Sequence, residues 1–233
     1  MGDSNGLRPV VVTGGGSGIG ASITLRLISE GRAVVATGRD ESKLRELERR
    51  INAPDRLRTI VADSADWDDN QRAIALALET FGSVHAVVAN AGFRTSGTFR
   101  TGDPTTWAPM VLTNVLGPIY LARAALTALE ATKGHVVIIG SVAGHKNSPG
   151  NIYSATKWAM TGFAENLRME LASSGIGVTL VSPGIVNTPF YSEGPPGTPL
   201  SPDVISDAVV WVLNQPPGVD VNTLIIRPTG QPF

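Results

Sequence analysis

The chain has 233 residues, of which 42% are hydrophobic and 17% charged, and its formal net charge is -1. A charge so close to zero argues against a nucleic-acid surface or an anionic membrane partner. The absence of cysteine excludes disulfides, thiolate metal ligands and cysteine nucleophiles.

Other features narrow the class further. His85, His135 and His145 are widely spaced and show no metal-ligand pattern, so no metal is predicted. The segment Met1–Pro9 lacks the apolar core of a signal peptide. No apolar run approaches the roughly 20 residues that are needed to cross a bilayer. We therefore expect one soluble, cytoplasmic domain over residues 1–233, with no membrane or nucleic-acid partner.

Short β-branched runs alternate with longer amphipathic segments along the chain. The run Val136–Ile139 is apolar at every position, which is typical of a parallel strand buried on both faces. The predicted strands are Val10–Thr13, Ala33–Thr37, Leu57–Val61, Val84–Ala89, Val136–Gly140, Val178–Ser182 and Asn222–Ile226. The predicted helices are Ile19–Glu30, Ser42–Ile51, Trp67–Phe81, Thr105–Ala131, Ser154–Ser173 and Asp203–Asn214. Asp40 and Asp66 are predicted N-caps, and Gly31 and Gly82 predicted C-caps.

This alternation predicts an α/β fold, because parallel strands need crossover helices between them. We expect a single-domain, doubly wound (Rossmann) parallel sheet of about seven strands in the order 3-2-1-4-5-6-7, with helices on both faces. The Pro/Gly-rich stretch from Thr188 to Pro202 is too short for a domain linker and is interpreted as a surface loop.

A glycine-rich segment, Thr13–Gly20, follows the first strand and opens the first helix. Its spacing is G-x-x-x-G-x-G, formed by Gly14, Gly18 and Gly20. Small residues let a pyrophosphate approach the backbone, and a helix N-terminus presents free N–H groups to it. A flexible glycine turn remains the alternative, although the position in a βαβ unit disfavours it.

A tyrosine and a lysine lie four residues apart, twelve residues after Ser141. Tyr153 and Lys157 would lie on one face of a helix, where an ammonium favours phenolate over phenol. Such a tyrosine can move a proton to or from a substrate oxygen. On its own the pair also fits a core tyrosine beside a lysine whose head reaches solvent.

Taken together, the spaced glycines, Asn90-Ala91-Gly92, Asn114, Ser141, Tyr153, Lys157, Pro183-Gly184 and Thr188 resemble the short-chain dehydrogenase/reductase family. The resemblance runs from about Val10 to the C-terminus. It implies an oxidoreductase that interconverts a ketone or aldehyde and an alcohol by hydride transfer. The alternative is a catalytically silent protein that binds the cofactor as a regulator or scaffold. Relatives that expel halide carry arginine at the position of Lys157.

The resemblance also implies catalytic roles. Ser141 would orient the substrate oxygen, and Tyr153 would be the general acid/base. Lys157 would lower the pKa of the tyrosine and bind the nicotinamide ribose, while Asn114 would anchor a water in a proton relay. Pro118 has no N–H for the carbonyl of Asn114, four residues earlier, so we hypothesise that this carbonyl binds the relay water. Alternatively, the proline only bends the helix.

The implied cofactor is a nicotinamide dinucleotide. The residues implied to bind it are Gly14, Gly16, Ser17, Gly18, Ile19, Gly20, Arg39, Asp63, Ser64, Asn90, Ala91, Gly92, Tyr153, Lys157, Pro183, Gly184, Ile185 and Thr188. Asp63 resembles the acid that contacts adenine, but a capping role is equally compatible. Asn90 would brace the sheet near the ribose, and Ile185 and Thr188 would hold the carboxamide.

The end of the second strand bears on the choice of cofactor. An acid there would accept bonds from the ribose hydroxyls, whereas an arginine pairs with a 2′-phosphate. The strand ends at the neutral Thr37, and Arg39 follows Gly38. We therefore predict NADP(H) over NAD(H). Arg39 as an ordinary solvated side chain is the alternative.

The sequence says less about substrate and assembly. A lid is expected at about residues 185–202, and Arg94, His145 and Lys146 are expected near the pocket, either solvated or facing an anionic substrate. The expected partner is a small carbonyl or alcohol. By the family's habit, a homotetramer is predicted, with a dimer second, through the helices Thr105–Ala131 and Ser154–Ser173. Ser154, Ala155 and Ala159 would allow close packing there, and Trp158 and Phe163 could belong to the interface or the core.

Overall fold

The computed structural model describes residues 6–147, 152–191 and 194–232. Its centre is a seven-stranded, all-parallel sheet. The strands are β1 Val10–Val12, β2 Val34–Gly38, β3 Leu57–Val61, β4 Ala86–Ala89, β5 His135–Ile139, β6 Gly177–Pro183 and β7 Thr223–Ile226. Their order across the sheet is β3-β2-β1-β4-β5-β6-β7, which confirms the predicted topology.

Helices connect the strands and cover both faces of the sheet. They are α1 Gly18–Ser29, α2 Glu41–Ile51, α3 Trp67–Phe81, α4 Trp107–Val111, α5 Gly117–Thr132, α6 Ile152–Leu171 and α7 Pro202–Leu213. A π-helical turn, Leu112–Leu116, joins α4 to α5, and single 3-10 turns lie at Pro104–Thr106 and Val142–Gly144.

The strands divide the core into two clusters because successive side chains point to opposite faces. Val10 and Val12 pack with Leu27 of α1 and Val209 of α7, on one side of the sheet. Val11 packs on the other side in a cluster that includes residues of α3, α5 and α6. Burial on both faces explains why the central strands are continuously apolar.

Local signals place most helix ends where the sequence predicts them. The Asp40 carboxylate accepts the N–H groups of Ser42 and Lys43, and that of Asp66 accepts the N–H of Asp69. Gly82 ends α3 in the left-handed conformation, with φ of 79°. These three caps are confirmed. Gly31 also has a positive φ, but it follows the capping residue Glu30.

The predicted single helix Thr105–Ala131 is wrong in detail. It is divided into a 3-10 turn, α4, the π turn and α5. Pro118 has no N–H to donate, so the regular ladder cannot pass through it, and the N–H of Gly117 bonds to Leu112 O, five residues back. The other element ends differ from the prediction by at most two residues.

The same stretch corrects the expectation about membrane-spanning segments. By length and composition alone, the helical stretch Pro104–Thr132 is apolar enough to cross a bilayer. In this fold 44% of its apolar window is buried, and α5 packs against α3 and β4. Its apolar character is that of a core helix covering a sheet.

Candidate active site

A cleft of about 720 Å³ opens at the carboxyl ends of the central strands. The strand order reverses between β1 and β4, and ligands of open α/β sheets bind at such a switch point. The cleft is lined by the glycine segment, the ends of β2 to β6, the first turns of α6 and the segment after β6. Every residue implied to bind the cofactor except Gly20 lines it, and Gly20 packs directly behind it.

The glycine segment is closely packed rather than a loose turn. Gly14 and Gly18 have φ of 65° and 52°, a conformation that favours glycine. A Cβ on Gly20 would lie 2.1 Å from Gly14 O, and one on Gly18 would lie 3.2 Å from Thr188 Cβ. Ser17 caps α1 without a side-chain bond to it, so the first turn keeps N–H groups that no cap side chain satisfies.

The end of β4 is fastened to the glycine segment by side-chain hydrogen bonds. Asn90 Nδ2 donates to the carbonyls of Thr13 at 2.9 Å and Gly14 at 3.2 Å. The N–H groups of Asn90 and Ala91 donate back to Thr13 Oγ1 at 3.1 and 3.2 Å. Asn90 therefore connects the end of β4 to the end of β1, the position at which it was predicted to brace the sheet. Thr13, which sequence reasoning did not select, completes the connection.

At the far end of the cleft, the carboxylate of Asp63 is hydrogen-bonded to the backbone of the turn that follows it. Its Oδ1 accepts the N–H of Ala65 at 2.9 Å, which is the capping alternative. Its Oδ2 lies 3.9 Å from Arg39 Nη1, and both side chains are well exposed. Ser64 is buried and its carbonyl accepts from Asn70. Lys43, not selected from the sequence, also lines this end beside Arg39.

The structure brings Ser141, Tyr153 and Lys157 together. Ser141 ends the segment after β5, and its Oγ accepts the N–H of Ala143 at 3.1 Å and hydrogen-bonds with Tyr153. Lys157 Nζ lies 5.8 Å from the centroid of the Tyr153 ring and donates to Ile139 O at 2.9 Å. Lys157 is thus buried beside the tyrosine, and its ammonium head does not reach out into solvent.

The electrostatics of the pair are dominated by burial. Burial raises the pKa of Tyr153 to about 12, while the hydrogen bond with Ser141 and the charge of Arg94 act in the opposite direction. Burial also lowers the pKa of Lys157 to about 8. In the protein alone the phenol is therefore not acidic, because loss of hydration disfavours the charged form of both groups. The acidic phenol expected with a cofactor bound stays a prediction.

Asn114 lies in the π turn and is buried, with 1% of its surface exposed. Its Oδ1 accepts the N–H of Phe93 at 3.0 Å, and its Nδ2 donates to Phe93 O at 2.8 Å and to Thr156 Oγ1 at 3.1 Å. The side chain therefore positions the segment after β4. The proposed water on its main-chain carbonyl stays a prediction, but the break in the helical ladder at Pro118 is present.

The segment after β6 contains a residue that sequence reasoning missed. Pro183 ends β6, Gly184 follows it, and the N–H of Ile185 donates to Gln231 Oε1 at 3.0 Å. The Gln231 side chain is a primary carboxamide, the same group that nicotinamide carries. A nicotinamide whose carboxamide bound the N–H of Ile185 would therefore have to displace the side chain of Gln231. No spacing in the sequence signals this, because Gln231 reaches the cleft only through the C-terminal turn.

The segment expected to form a lid is short, and its two ends are hydrogen-bonded to each other. Val186 bridges to Leu200, and the N–H of Asn187 donates to Leu200 O at 2.9 Å. Phe190 packs against Tyr153 with ring centroids 5.6 Å apart. Ser192 and Glu193, within the lid, lie outside the described residues, as do residues 148–151 before α6.

Of the three polar residues expected near the pocket, only Arg94 lines the cleft. His145 instead bonds through Nε2 to Ser182 Oγ at 2.8 Å, and burial lowers its pKa. Lys146 is exposed outside the cleft. Of the two aromatic residues left open between core and interface, Phe163 packs against the core, whereas Trp158 is 42% exposed.

The family model described as short chain dehydrogenase matches residues 8–196. The chain belongs to the short-chain dehydrogenase family. An uncharacterized oxidoreductase of Staphylococcus saprophyticus is 36% identical over 227 residues, covering 95% of this chain and 97% of that protein.

Solved structures of short-chain dehydrogenases and related enzymes agree with the fold. The serine dehydrogenase of Escherichia coli is 31% identical, with a TM-score of 0.86 over 97% of this chain and 100% of that one. A closed form of serine dehydrogenase complexed with NADP+ is 30% identical, with a TM-score of 0.88 over 97% of this chain and 96% of that one. As a short-chain dehydrogenase, the protein is an oxidoreductase of a family that binds a nicotinamide cofactor.

Proposed function

We propose that the protein is an NADP(H)-dependent carbonyl reductase that interconverts a ketone or aldehyde and its alcohol, with Tyr153 as the general acid/base. The observation that carries this is the position of the buried Tyr153 inside the cleft, beside Ser141 and one helical turn from Lys157. A similar protein is a dehydrogenase of serine, whose side chain is a primary alcohol.

The residues of the cleft fit the cofactor. The close contacts of Gly14, Gly18 and Gly20 leave the backbone bare where a pyrophosphate would lie, at the N-terminus of α1. When bound, a reduced nicotinamide supplies the hydride that the carbonyl carbon accepts. Lys157 Nζ has three N–H donors and one is used on Ile139 O, so two remain for ribose hydroxyls or a relay water.

Ser141 and Tyr153 would handle the substrate oxygen. Ser141 Oγ accepts the N–H of Ala143, which leaves its rotatable hydroxyl hydrogen to be donated to Tyr153 or to the substrate oxygen. The raised pKa of Tyr153 keeps the phenol protonated at neutral pH, so it can donate its proton as the carbonyl becomes an alcohol.

The preference for NADP(H) rests on the end of β2. Arg39 is 66% exposed and its contact with Asp63 is long, so that ion pair contributes little and leaves the guanidinium available. Lys43 lines the same end and lies 3.5 Å from Asp40. Two cations beside a neutral Thr37 suit a 2′-phosphate better than they suit a bare ribose.

Arg39→Asp is expected to lower the NADPH:NADH ratio of kcat/KM by about 10- to 100-fold, the size of one charge-assisted hydrogen bond. Reversing the charge also repels the phosphate. Steady-state kinetics with both cofactors measure the ratio. The matched control is Arg45→Asp, which makes the same charge change on the exposed face of α2 outside the cleft. An unchanged ratio in Arg39→Asp contradicts the assignment.

The proposed function itself is tested by following NADPH absorbance against panels of aldehydes, ketones, β-keto acids and quinones. Turnover of at least one carbonyl class supports it. Tight NADPH binding without turnover in any panel would instead favour the silent regulator or scaffold.

We also propose the homotetramer, with the dimer second. Trp158 and Met169 on α6 are 42% and 63% exposed, and Val111 and Leu112 before α5 are exposed as well. Large apolar side chains on two neighbouring helices suit a subunit interface. Light scattering that gives the mass of one chain at micromolar concentration would contradict this.

A further inference from the structure

The catalytic end of the cleft has an unbalanced charge. Two cations, Lys157 and Arg94, line it, and the acids that line the described part of the cleft, Asp40 and Asp63, lie at the opposite end with Arg39. Lys157 is buried and bonded to Ile139 O, so its contacts are accounted for by the proposed chemistry. Arg94 is exposed at the mouth and has no such role.

Arg94 contacts one end of a row of aromatic rings. Its guanidinium carbon lies 5.3 Å from the centroid of the Tyr191 ring. Tyr191 contacts Phe190 at 5.4 Å, and Phe190 contacts Tyr153 at 5.6 Å, both edge to face. Among residues 6–147, 152–191 and 194–232, no carboxylate forms an ion pair with Arg94.

The contact with the Tyr191 ring does not use the N–H groups of the Arg94 guanidinium. A guanidinium that contacts an aromatic ring can still present its N–H groups in a planar fork, and that fork matches a carboxylate. The row of rings leads from Arg94 to the phenol that would transfer the proton.

We propose that Arg94 binds a carboxylate on the substrate, so that the protein acts on oxo acids and the corresponding hydroxy acids. The inference rests on the proposed carbonyl reductase function and names its substrate class. A bound NADPH would supply the hydride to the carbonyl carbon and be oxidised to NADP+, while Tyr153 would give its proton to the carbonyl oxygen and recover one from solvent through Lys157. The carboxylate would be the same in the oxo acid and in the hydroxy acid. Arg94 acts by fixing the far end of the molecule.

The test uses acids paired with their methyl esters, so that only the charge at the far end differs. Levulinate and acetoacetate are compared with methyl levulinate and methyl acetoacetate for the wild type, Arg94→Met and Arg94→Lys. Arg94→Met is expected to lower kcat/KM for the acids by about 10- to 100-fold, mainly through KM, and to leave the esters within about threefold. Arg94→Lys is expected to retain part of the preference, because it keeps the charge but loses the fork.

The control is Arg100→Met, which removes an exposed arginine on the same segment outside the cleft. It should match the wild type with all four compounds. NADPH affinity, measured by fluorescence, should be the same in every variant, which separates loss of substrate recognition from damage to the fold.

Three results overturn the inference. A wild type that reduces esters as well as acids, or an Arg94→Met variant that loses both equally, removes Arg94 from substrate recognition. A wild type that reduces other carbonyls but none of these four compounds also removes it, while the proposed function stands. An enzyme that binds NADPH and reduces no carbonyl overturns the proposed function and the inference together.

Discussion

Tyr153→Phe is expected to lower kcat for carbonyl reduction by about a thousandfold or more, while NADPH affinity stays within about threefold. General acid/base groups contribute about 10²- to 10⁴-fold, and the substitution removes the phenolic hydroxyl while it keeps the ring. The ring that packs against Phe190 remains, and so does the hydrogen bond of Lys157 to Ile139 O. Steady-state kinetics and fluorescence titration with NADPH measure the two quantities.

Tyr120→Phe is the matched control, because it removes a phenolic hydroxyl from a ring that packs against Trp67 on α3 and does not line the cleft. It should retain wild-type turnover. If Tyr153→Phe also retained turnover, a different group would be the proton donor, and the central proposal would fail. If neither protein turned over any carbonyl, the scaffold alternative would gain.

Gly20→Ala is expected to lower kcat/KM by more than about a hundredfold and to destabilise the protein by about 1–3 kcal/mol. The new Cβ would lie 2.1 Å from Gly14 O and 2.5 Å from Asn90 Nδ2. Backbone atoms of a packed segment cannot give way by so much without shifting the pyrophosphate position. Thermal unfolding and NADPH titration measure the two effects.

Gly162→Ala provides the comparison, because Gly162 is also helical but exposed, with no atom within 4 Å of a built Cβ. Alanine has the better helix propensity, so this variant should gain about 0.5–1 kcal/mol and keep its activity. A Gly20→Ala protein with unaltered stability and NADPH affinity would show that the glycine segment does not closely enclose the cofactor.

The sequence determines much of this fold because its strands carry a strong local signal. An apolar run such as Val136–Ile139 contains no polar residue that could face solvent, so a buried strand is the structure it favours. The caps at Asp40, Asp66 and Gly82 depend only on residues within one helical turn. The division of Thr105–Ala131 was not predictable in detail. Pro118 indicates a disturbance, but whether the chain bends or adds a residue to the turn depends on how α5 packs on α3 and β4.

The candidate site divides in the same way. Ser141, Tyr153 and Lys157 could be selected from residue type and spacing. Their pKa values could not, because burial by surrounding elements dominates them. Gln231 contacts Ile185, which lies 46 positions away along the chain, and Thr13 contacts Asn90, 77 positions away. No local sequence pattern predicts contacts over such separations.

The side-chain amide of Asn114 joins two segments of the site. Asn114 satisfies both main-chain polar groups of Phe93, and its remaining N–H holds Thr156 on the helix that carries Tyr153 and Lys157. Arg94 is the next residue along that tethered segment. Arg94, proposed to bind the far end of a substrate, and Tyr153, proposed to donate the proton at its near end, therefore lie on two segments that the side chain of Asn114 joins.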